Sequence, residues 1–262
     1  MRIERIAVTP VKGLGLLHPT SVEVEPTGIR GDRRYAMVDE RDRLASGKRF
    51  GPLVRVVPEA DDDAGTLVLR LPDGTEVGGV VQLGDEVTAI FYGDPRPARL
   101  VLGAYAEALS ALAGEPLRLL RFDDGAAIDR PDDGAVSIQS TASLSALGRE
   151  AGVGDTVDGR RFRMNLTVSG AEEHAEDGWV GRRVRVGAAV LRPEGNVGRC
   201  AITTQDPDTG VPTLDTLKTL ARYRGDLVTT EPLPFGVHAR VLVPGVVAVG
   251  DEVVVEDQLL ED

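Results

Sequence analysis

Short runs of β-branched and aliphatic residues, each closed by a glycine, aspartate or proline turn, recur from one end of the chain to the other. They restrict it to a β-rich fold. Residues 22–24, 35–38, 53–57, 66–69, 184–186 and 253–255 have the length and residue types of strands. Pro72-Asp73-Gly74 and Asp158-Gly159 supply reversals between them. Many short strands at this spacing predict a barrel or a sandwich. Helical signals are fewer. Residues 104–113 form an alanine/leucine stretch closed by Gly114, and Ser140 or Thr141 can cap a helix that runs through Leu144 and Leu147 to Gly152. Leu214, Leu217, Leu220 and Ala221 recur at helical spacing before Gly225. The expected class is mainly β with a few helices (α+β).

Residues 123–134, rich in Asp, Gly and Pro, read as a linker, which predicts two parts, 1–122 and 123–262. An internal echo relates residues 79–87 (Gly-Val-Val-Gln-Leu-Gly-Asp-Glu-Val) to 245–253 (Gly-Val-Val-Ala-Val-Gly-Asp-Glu-Val). Both read as strand–turn–strand units around a Gly-Asp turn, and nine residues do not separate that reading from a duplication. Acidic residues outnumber basic ones 42 to 30, a net charge of −12. This argues against nucleic acid or an anionic membrane surface as partner. The first ten residues are too short and too charged for a signal peptide, and no window reaches the length of a membrane span. With one cysteine, a reducing cytoplasm is the expected compartment.

That one cysteine, Cys200, is the sharpest chemical feature. It cannot form an internal disulfide, and one thiol is too few for a structural zinc site or an iron–sulfur centre. It is either a small apolar residue or a functional soft thiolate. Arg199 before it would favour the thiolate, and the following Thr203-Thr204 and Asp206-Pro207-Asp208-Thr209-Gly210 read as a polar loop.

Residues 161–168 (Arg-Phe-Arg-Met-Asn-Leu-Thr-Val) alternate without a break. As a strand they would put Phe162, Met164, Leu166 and Val168 on one face, and Arg161, Arg163, Asn165 and Thr167 on the other. Such a polar row is either an ordinary wet face or a match for phosphate or a polar heterocycle. Lys12, beside Gly13, and the Gly31-Asp32-Arg33-Arg34 turn allow an anion to approach backbone and cation together, or are simply charged turns. No Walker or dinucleotide fingerprint is present. His18, His174 and His238 lack ligand spacing, and residues 172–179 read as an acidic surface loop ending in a packed Trp179.

In order along the chain, these segments resemble the MOSC family. Pro10-Val11-Lys12 and Gly28-x-x-Gly31-Asp32-Arg33-x-Tyr35 resemble its N-terminal β-barrel module. Arg161-Phe162-Arg163-Met164-Asn165, Glu176-Asp177-Gly178-Trp179-x-Gly181, Arg199-Cys200 to Gly210 and Leu217-Lys218-Thr219-Leu220-x-x-Tyr223-Arg224 resemble the MOSC domain proper. The resemblance implies a MOSC-type β-barrel behind an N-terminal β-barrel module, and a molybdenum–molybdopterin cofactor. Cys200 would ligate molybdenum or carry a persulfide. Lys12, Arg33 and Arg163 would hold the pterin phosphate and ring edges. Asn165, Ser140 and Thr141 would add hydrogen bonds, with Arg199 and His238 completing the site. The implied activity is two-electron reduction of an N-hydroxylated small molecule, with a separate flavin or iron–sulfur protein as electron donor. The alternatives are a sulfurtransferase fed by a cysteine desulfurase, and a carrier of the cofactor without turnover. The chain departs from the family pattern at Gly13 and Gly198, where serine is common, at Met164, where proline is usual, and at His238, where some relatives carry tyrosine.

Overall fold

The strand-forming runs pair into four sheets in the computed structural model, which describes residues 1–45, 47–122 and 136–259. The linker expected at residues 123–134 lies outside these. The largest sheet has seven strands in the order β1 (Arg2–Ile6), β13 (Leu166–Ser169), β12 (Val136–Ser140), β16 (Pro234–Val243), β15 (Ala189–Gly198), β14 (Arg182–Val186) and β18 (Val253–Leu259). Its two ends meet. Ile3 N–H donates to the Asp251 carbonyl (2.9 Å), Gly250 N–H to that of Ile3 (2.8 Å) and Val253 N–H to that of Met1 (2.9 Å), so the sheet rolls into a nearly closed barrel. Alternate residues such as Ile3, Ile138, Leu166, Val184 and Val237 fill it, each side chain contributing about 1.5–3 kcal/mol by burial.

A second sheet runs β2 (Val11–Lys12), β5 (Tyr35–Val38), β11 (Arg118–Arg121), β10 (Asp94–Leu102) and β9 (Gln82–Phe91), and has its own core with α1 (Tyr105–Ala113). Two three-stranded sheets complete the β-structure. One is β6 (Val57–Asp61), β7 (Thr66–Arg70) and β8 (Glu76–Val80). The other is β17 (Gly245–Ala248), β3 (Ser21–Glu25) and β4 (Gly28–Ile29). Strands from the start of the chain, β1 and β3, therefore pair with strands from its second half. The fold is mainly β with three α-helices among the described residues.

Strands β12 and β13 are parallel, so the chain between them must cross over, and α2 (Thr141–Ala151) begins that crossover. Ser140 caps α2, accepting from Ser143 N–H (3.0 Å), and Gly152 closes it in the left-handed conformation (φ +67°). Leu144 and Leu147 of α2 pack with Leu220 of α3 (Thr216–Arg224) over Phe162 and Phe235, so the two helices cover one flank of the barrel. No helix among the described residues is long and apolar enough to cross a membrane.

Three local expectations fail. Residues 53–57 are not one strand. Pro52 lacks an N–H and has a fixed φ, which starts a 3₁₀ turn at Gly51–Arg55, and β6 begins only at Val57. The echo has no structural counterpart, because Gly84 and Asp85 lie inside β9 whereas Gly250 (φ +92°) turns the chain before β18. The alternating run at 161–168 is a strand only from Leu166. Asp158 caps a 3₁₀ turn at Gly159–Phe162, and Arg163 is left-handed (φ +54°), which breaks the period-two geometry.

Candidate functional site

Cys200 stands at the end of β15, exposed and in extended conformation, as the residue before the 3₁₀ turn Ala201–Thr204. Its carbonyl accepts from the N–H (3.1 Å) and hydroxyl (3.0 Å) of Thr203, which closes the turn. Gly198 lets this strand end lie close to its neighbour: a Cβ there would sit 2.8 Å from both Glu231 Oε2 and the Pro232 carbonyl. The serine common at this place in the family therefore has no room here. Arg199 donates its N–H to the Leu233 carbonyl (3.2 Å), its Nε to that of Phe235 (2.9 Å) and Nη1 to that of Phe162 (3.2 Å), with the guanidinium 5.3 Å from the Phe162 ring centre. It fastens the cysteine turn to residues 162–164.

The polar row expected on one strand face is dispersed by the break at Arg163. Arg161 reaches the Thr204 carbonyl (3.1 Å) and the Thr213 hydroxyl (2.8 Å), and so braces the loop after Cys200. Arg163 donates to the Leu14 carbonyl (2.6 Å), which brings it to the Lys12–Gly13 turn, and its own carbonyl accepts from Arg33 (2.7 Å). Arg33 is itself buried and left-handed (φ +51°), paired with the buried carboxylate of Asp32. Two arginines in a backbone region that non-glycine residues seldom adopt, tied to each other, mark a place where the surroundings dictate the geometry. Asn165 is 2 % exposed, and its side chain is fully engaged with protein. Oδ1 accepts from Ser137 N–H (3.0 Å) and its hydroxyl (2.9 Å), while Nδ2 donates to the Ala7 carbonyl (3.2 Å) and to Asp32 Oδ2 (2.9 Å). Asp32, which the sequence offered only as part of a charged turn, joins them by accepting Thr9 N–H as well (2.8 Å).

A cleft of about 360 Å³ opens between residues 13–18 and 51–57 on one side and residues 160–163 and 202–208 on the other. This is within the size range of small-molecule sites. Arg55, Arg160, Arg161 and Arg163 line it against Asp206 and Asp208, a local excess of positive charge in an acidic protein. Of the residues expected to bind cofactor, Arg163 lines this cleft. Half-buried Lys12 adjoins it through Gly13, and Cys200 through Ile202 two residues on. Arg33, Asn165 and Arg199 stand behind it, holding the segments that form it.

Ser140, Thr141 and His238 lie along the barrel flank. His238 sits on β16 opposite Ser137, the partner of Asn165, and is 7 % exposed. Half-buried Thr141 opens α2. Ser140 is fully buried and belongs to a second network, built on the segment read from sequence as a surface loop. The structure overturns that expectation. Glu176 is 0 % exposed, and its Oε1 accepts from Ser140 N–H (3.2 Å) and the Ser143 hydroxyl (2.7 Å). The acidic run hides one buried carboxyl because a 3₁₀ turn at Ala175–Trp179 turns Glu176 and Trp179 inward. The acidic neighbours of Glu176 hid it, and no period in the sequence marked it.

Burial raises the pKa of Glu176 and lowers that of His174 from 6.5 to about 4, with the charge of Arg224 adding to the latter. His174 N–H donates to the Ser143 hydroxyl (2.9 Å), and its ring meets Tyr223 Oη at 3.4 Å. Between pH 6.5 and 4 the folded chain binds fewer protons at His174 than the unfolded chain does, so this contribution to stability is present above 6.5 and lost as pH falls to 4. His174→Gln is expected to flatten the acid limb of a urea-unfolding pH series by about 2 kcal/mol, after discounting for solvent screening. An acid limb identical to wild type would show that His174 is not the group responsible.

A family model for the MOSC domain matches residues 125–254, and one for the MOSC N-terminal beta barrel domain matches residues 1–91. The chain is 27% identical to mitochondrial amidoxime-reducing component 1 of Xenopus laevis, over 96% of this chain and 81% of that one. It is 26% identical to the Homo sapiens protein of the same name, over 96% and 82%. It is 29% identical to the molybdenum cofactor sulfurase of Anopheles gambiae, over 86% of this chain but 33% of that one. Among solved structures, the YuaD protein of Bacillus subtilis aligns over 96% of this chain and 93% of its own length, with 14% identity and a TM-score of 0.44. With both family models matched in order along a mainly β chain whose barrel is closed by its own first strand, the chain belongs to the MOSC family.

Proposed function

We propose that this protein binds a molybdenum–molybdopterin cofactor and uses it to reduce N-hydroxylated small molecules, with electrons from a separate flavin or iron–sulfur protein. The observation that carries the reading is the exposed Cys200 thiol, held against the Arg163 loop by Arg199 at the edge of a cationic cleft. The donor set fits such a group. Thiolate is a soft ligand suited to molybdenum, and guanidinium and ammonium groups suit a phosphate. Among the described residues no cluster of three or more His, Cys, Asp or Glu side chains could hold a metal, so its remaining ligands would come with the pterin. The relatives point the same way, because the chain spans 81–82% of the amidoxime-reducing components and a third of the sulfurase.

When bound, the cofactor would supply two-electron reduction with acceptance of an oxygen atom. The chain's own contribution would be binding and orientation. Cys200 would give up its proton to become the protein ligand. Lys12 and Arg163 would take the phosphate from opposite lips of the cleft. Thr141 and His238 would meet the pterin edges. Arg33, Asn165, Ser140 and Arg199 would hold these residues in place. The chain has one cysteine and no flavin fingerprint, which is why an outside donor is part of the proposal. On the same footing we place the division of the chain at residues 122/123, with β1 exchanged into the barrel of the second part.

A second reading is favoured by the exposure of Cys200, since an accessible thiol can receive sulfur as a persulfide from a cysteine desulfurase. A carrier without turnover is the third. The test is molybdenum and released pterin per chain, on protein made in a host that synthesises the cofactor, followed by reduction of an N-hydroxylated substrate with a supplied donor. Loading with turnover supports the reductase, and loading without turnover supports the carrier. No molybdenum, with persulfide on Cys200 by mass spectrometry, moves the assignment to sulfur transfer. Arg163→Met is expected to lower molybdenum retention after gel filtration by about tenfold, since it removes a cation that lines the cleft. Full retention would mean that this guanidinium serves only the Leu14 carbonyl.

A further inference from the structure

We propose that Asp177 and Arg224, which bond Asn196 of β15 and Pro234 of β16 but not Cys200 itself, are positioning residues for that cysteine. The inference rests on the reading above only in taking Cys200 as the functional thiol. Asp177 sits in the 3₁₀ turn Ala175–Trp179, anchored by the buried Glu176 and by Trp179 in the barrel core. Its Oδ1 accepts from Asn196 Nδ2 (2.7 Å) and its Oδ2 from the Arg224 guanidinium (2.5 Å). Arg224 is 5 % exposed, at the last position of α3, and passes the contact on by donating Nε to the Pro234 carbonyl (3.0 Å).

Residues 233–235 are where the two arginines meet. Arg224 takes the carbonyl of Pro234, while Arg199 takes those of Leu233 and Phe235 on either side. Three consecutive carbonyls are thereby held, that of Leu233 by the backbone N–H of Arg199 and those of Pro234 and Phe235 by the guanidiniums of Arg224 and Arg199. The grip has a visible consequence. Leu233 is held left-handed (φ +52°), and Gly236 follows at φ +74°. A leucine keeps that conformation only where its surroundings impose it. Arg224 cannot impose it alone, because a buried guanidinium needs the charge of Asp177 to remain where it is. The order of dependence is Asp177, Arg224, the start of β16, Arg199, and then the turn that presents Cys200.

This gives a role to two residues of the Glu-Asp-Gly-Trp and Leu-Lys-Thr-Leu-x-x-Tyr-Arg segments that reach neither the cleft nor the thiol. It also explains why they are charged. An apolar pair of similar volume would fill the space, but it could not take a backbone carbonyl at the base of β16.

The test uses the full chain without cofactor. Asp177→Asn keeps the acceptor for Asn196 and loses the counter-charge of Arg224. Arg224→Lys keeps the charge but cannot span Asp177 and Pro234 together. Val186→Ala, a core cavity on β14, two strands from β16, supplies a comparable loss of Tm elsewhere. Hydrogen exchange by mass spectrometry should show amides of residues 199–204 exchanging at least about tenfold faster in both site variants, with wild-type rates there in Val186→Ala. Iodoacetamide should alkylate Cys200 at a rate changed at least about threefold in the same two variants alone. If exchange at 199–204 merely follows the loss of Tm in all three proteins, the pair is structural only and the proposal fails. Should Asp177→Asn not fold, Arg224→Lys decides by the same criterion. Absence of molybdenum from wild type would overturn the cofactor reading, and it leaves the exchange result standing as a separate answer.

Discussion

Cys200→Ser is expected to lower molybdenum per chain by at least about tenfold while leaving the Tm of the cofactor-free chain within about 1 °C of cofactor-free wild type. The substitution exchanges a soft sulfur for a hard hydroxyl oxygen of similar shape, so it removes metal affinity without creating a cavity. The thiol is exposed, and its turn is closed by backbone and Thr203 contacts that serine leaves intact. Stability and loading should therefore separate cleanly. Metal analysis and mass spectrometry on one preparation cover both leading readings, because the same variant also removes any persulfide. Wild-type molybdenum together with unchanged activity would remove Cys200 from the site.

Asn165→Ala is expected to cost about 3 kcal/mol and to lower Tm by about 6–12 °C in the cofactor-free chain. The family resemblance makes this residue a cofactor contact, but its geometry makes it a joint. Its side chain joins buried Ala7 after β1, half-buried Ser137 of β12 and the buried Asp32 carboxylate. Alanine would strand the Ser137 N–H and one Asp32 lone pair, each carrying a desolvation penalty of about 1–3 kcal/mol. Asn165→Asp should be worse at neutral pH, since it would set a carboxylate oxygen where Nδ2 now lies 2.9 Å from Asp32 Oδ2. The aspartate variant should recover part of that loss on acidification, when one of the two carboxyls takes a proton. Thermal melts of both variants across pH check this. A Tm within about 2 °C of wild type for Asn165→Ala, with cofactor retention lost, would show that the amide faces the ligand after all.

The elements most legible in the sequence were those with a local cause. Ser140 before Leu144 and Gly152 after Ala151 define α2, because cap and stop are decided by a few adjacent dihedral angles. Residues 66–69 and 35–38 form paired strands, as their length and residue types suggested. Where the reading failed, a short-range competitor had been missed. Pro52 diverted residues 53–55 into a 3₁₀ turn, and the left-handed Arg163 broke an otherwise unbroken alternation. The site was legible as a set of motifs but not as a division of labour. Arg163 was identified as a binding residue and lines the cleft, whereas Asn165 and Arg199, equally prominent in sequence, direct their polar atoms to the protein. Glu176 was hidden by its acidic neighbours, since burial of one side chain in a 3₁₀ turn leaves no period in the sequence.

By itself the sequence determined the β-rich class, the three helices and the family to which Cys200 and its flanking arginine belong, because caps, turns and motif spacing are written in adjacent residues. Which strand closes the barrel, which arginine turns to the cleft and which carboxyl is buried were decided only by the tertiary structure. Each depends on a hydrogen bond between groups more than a hundred residues apart, or on the loss of water around a single side chain, and neither leaves a local pattern to read.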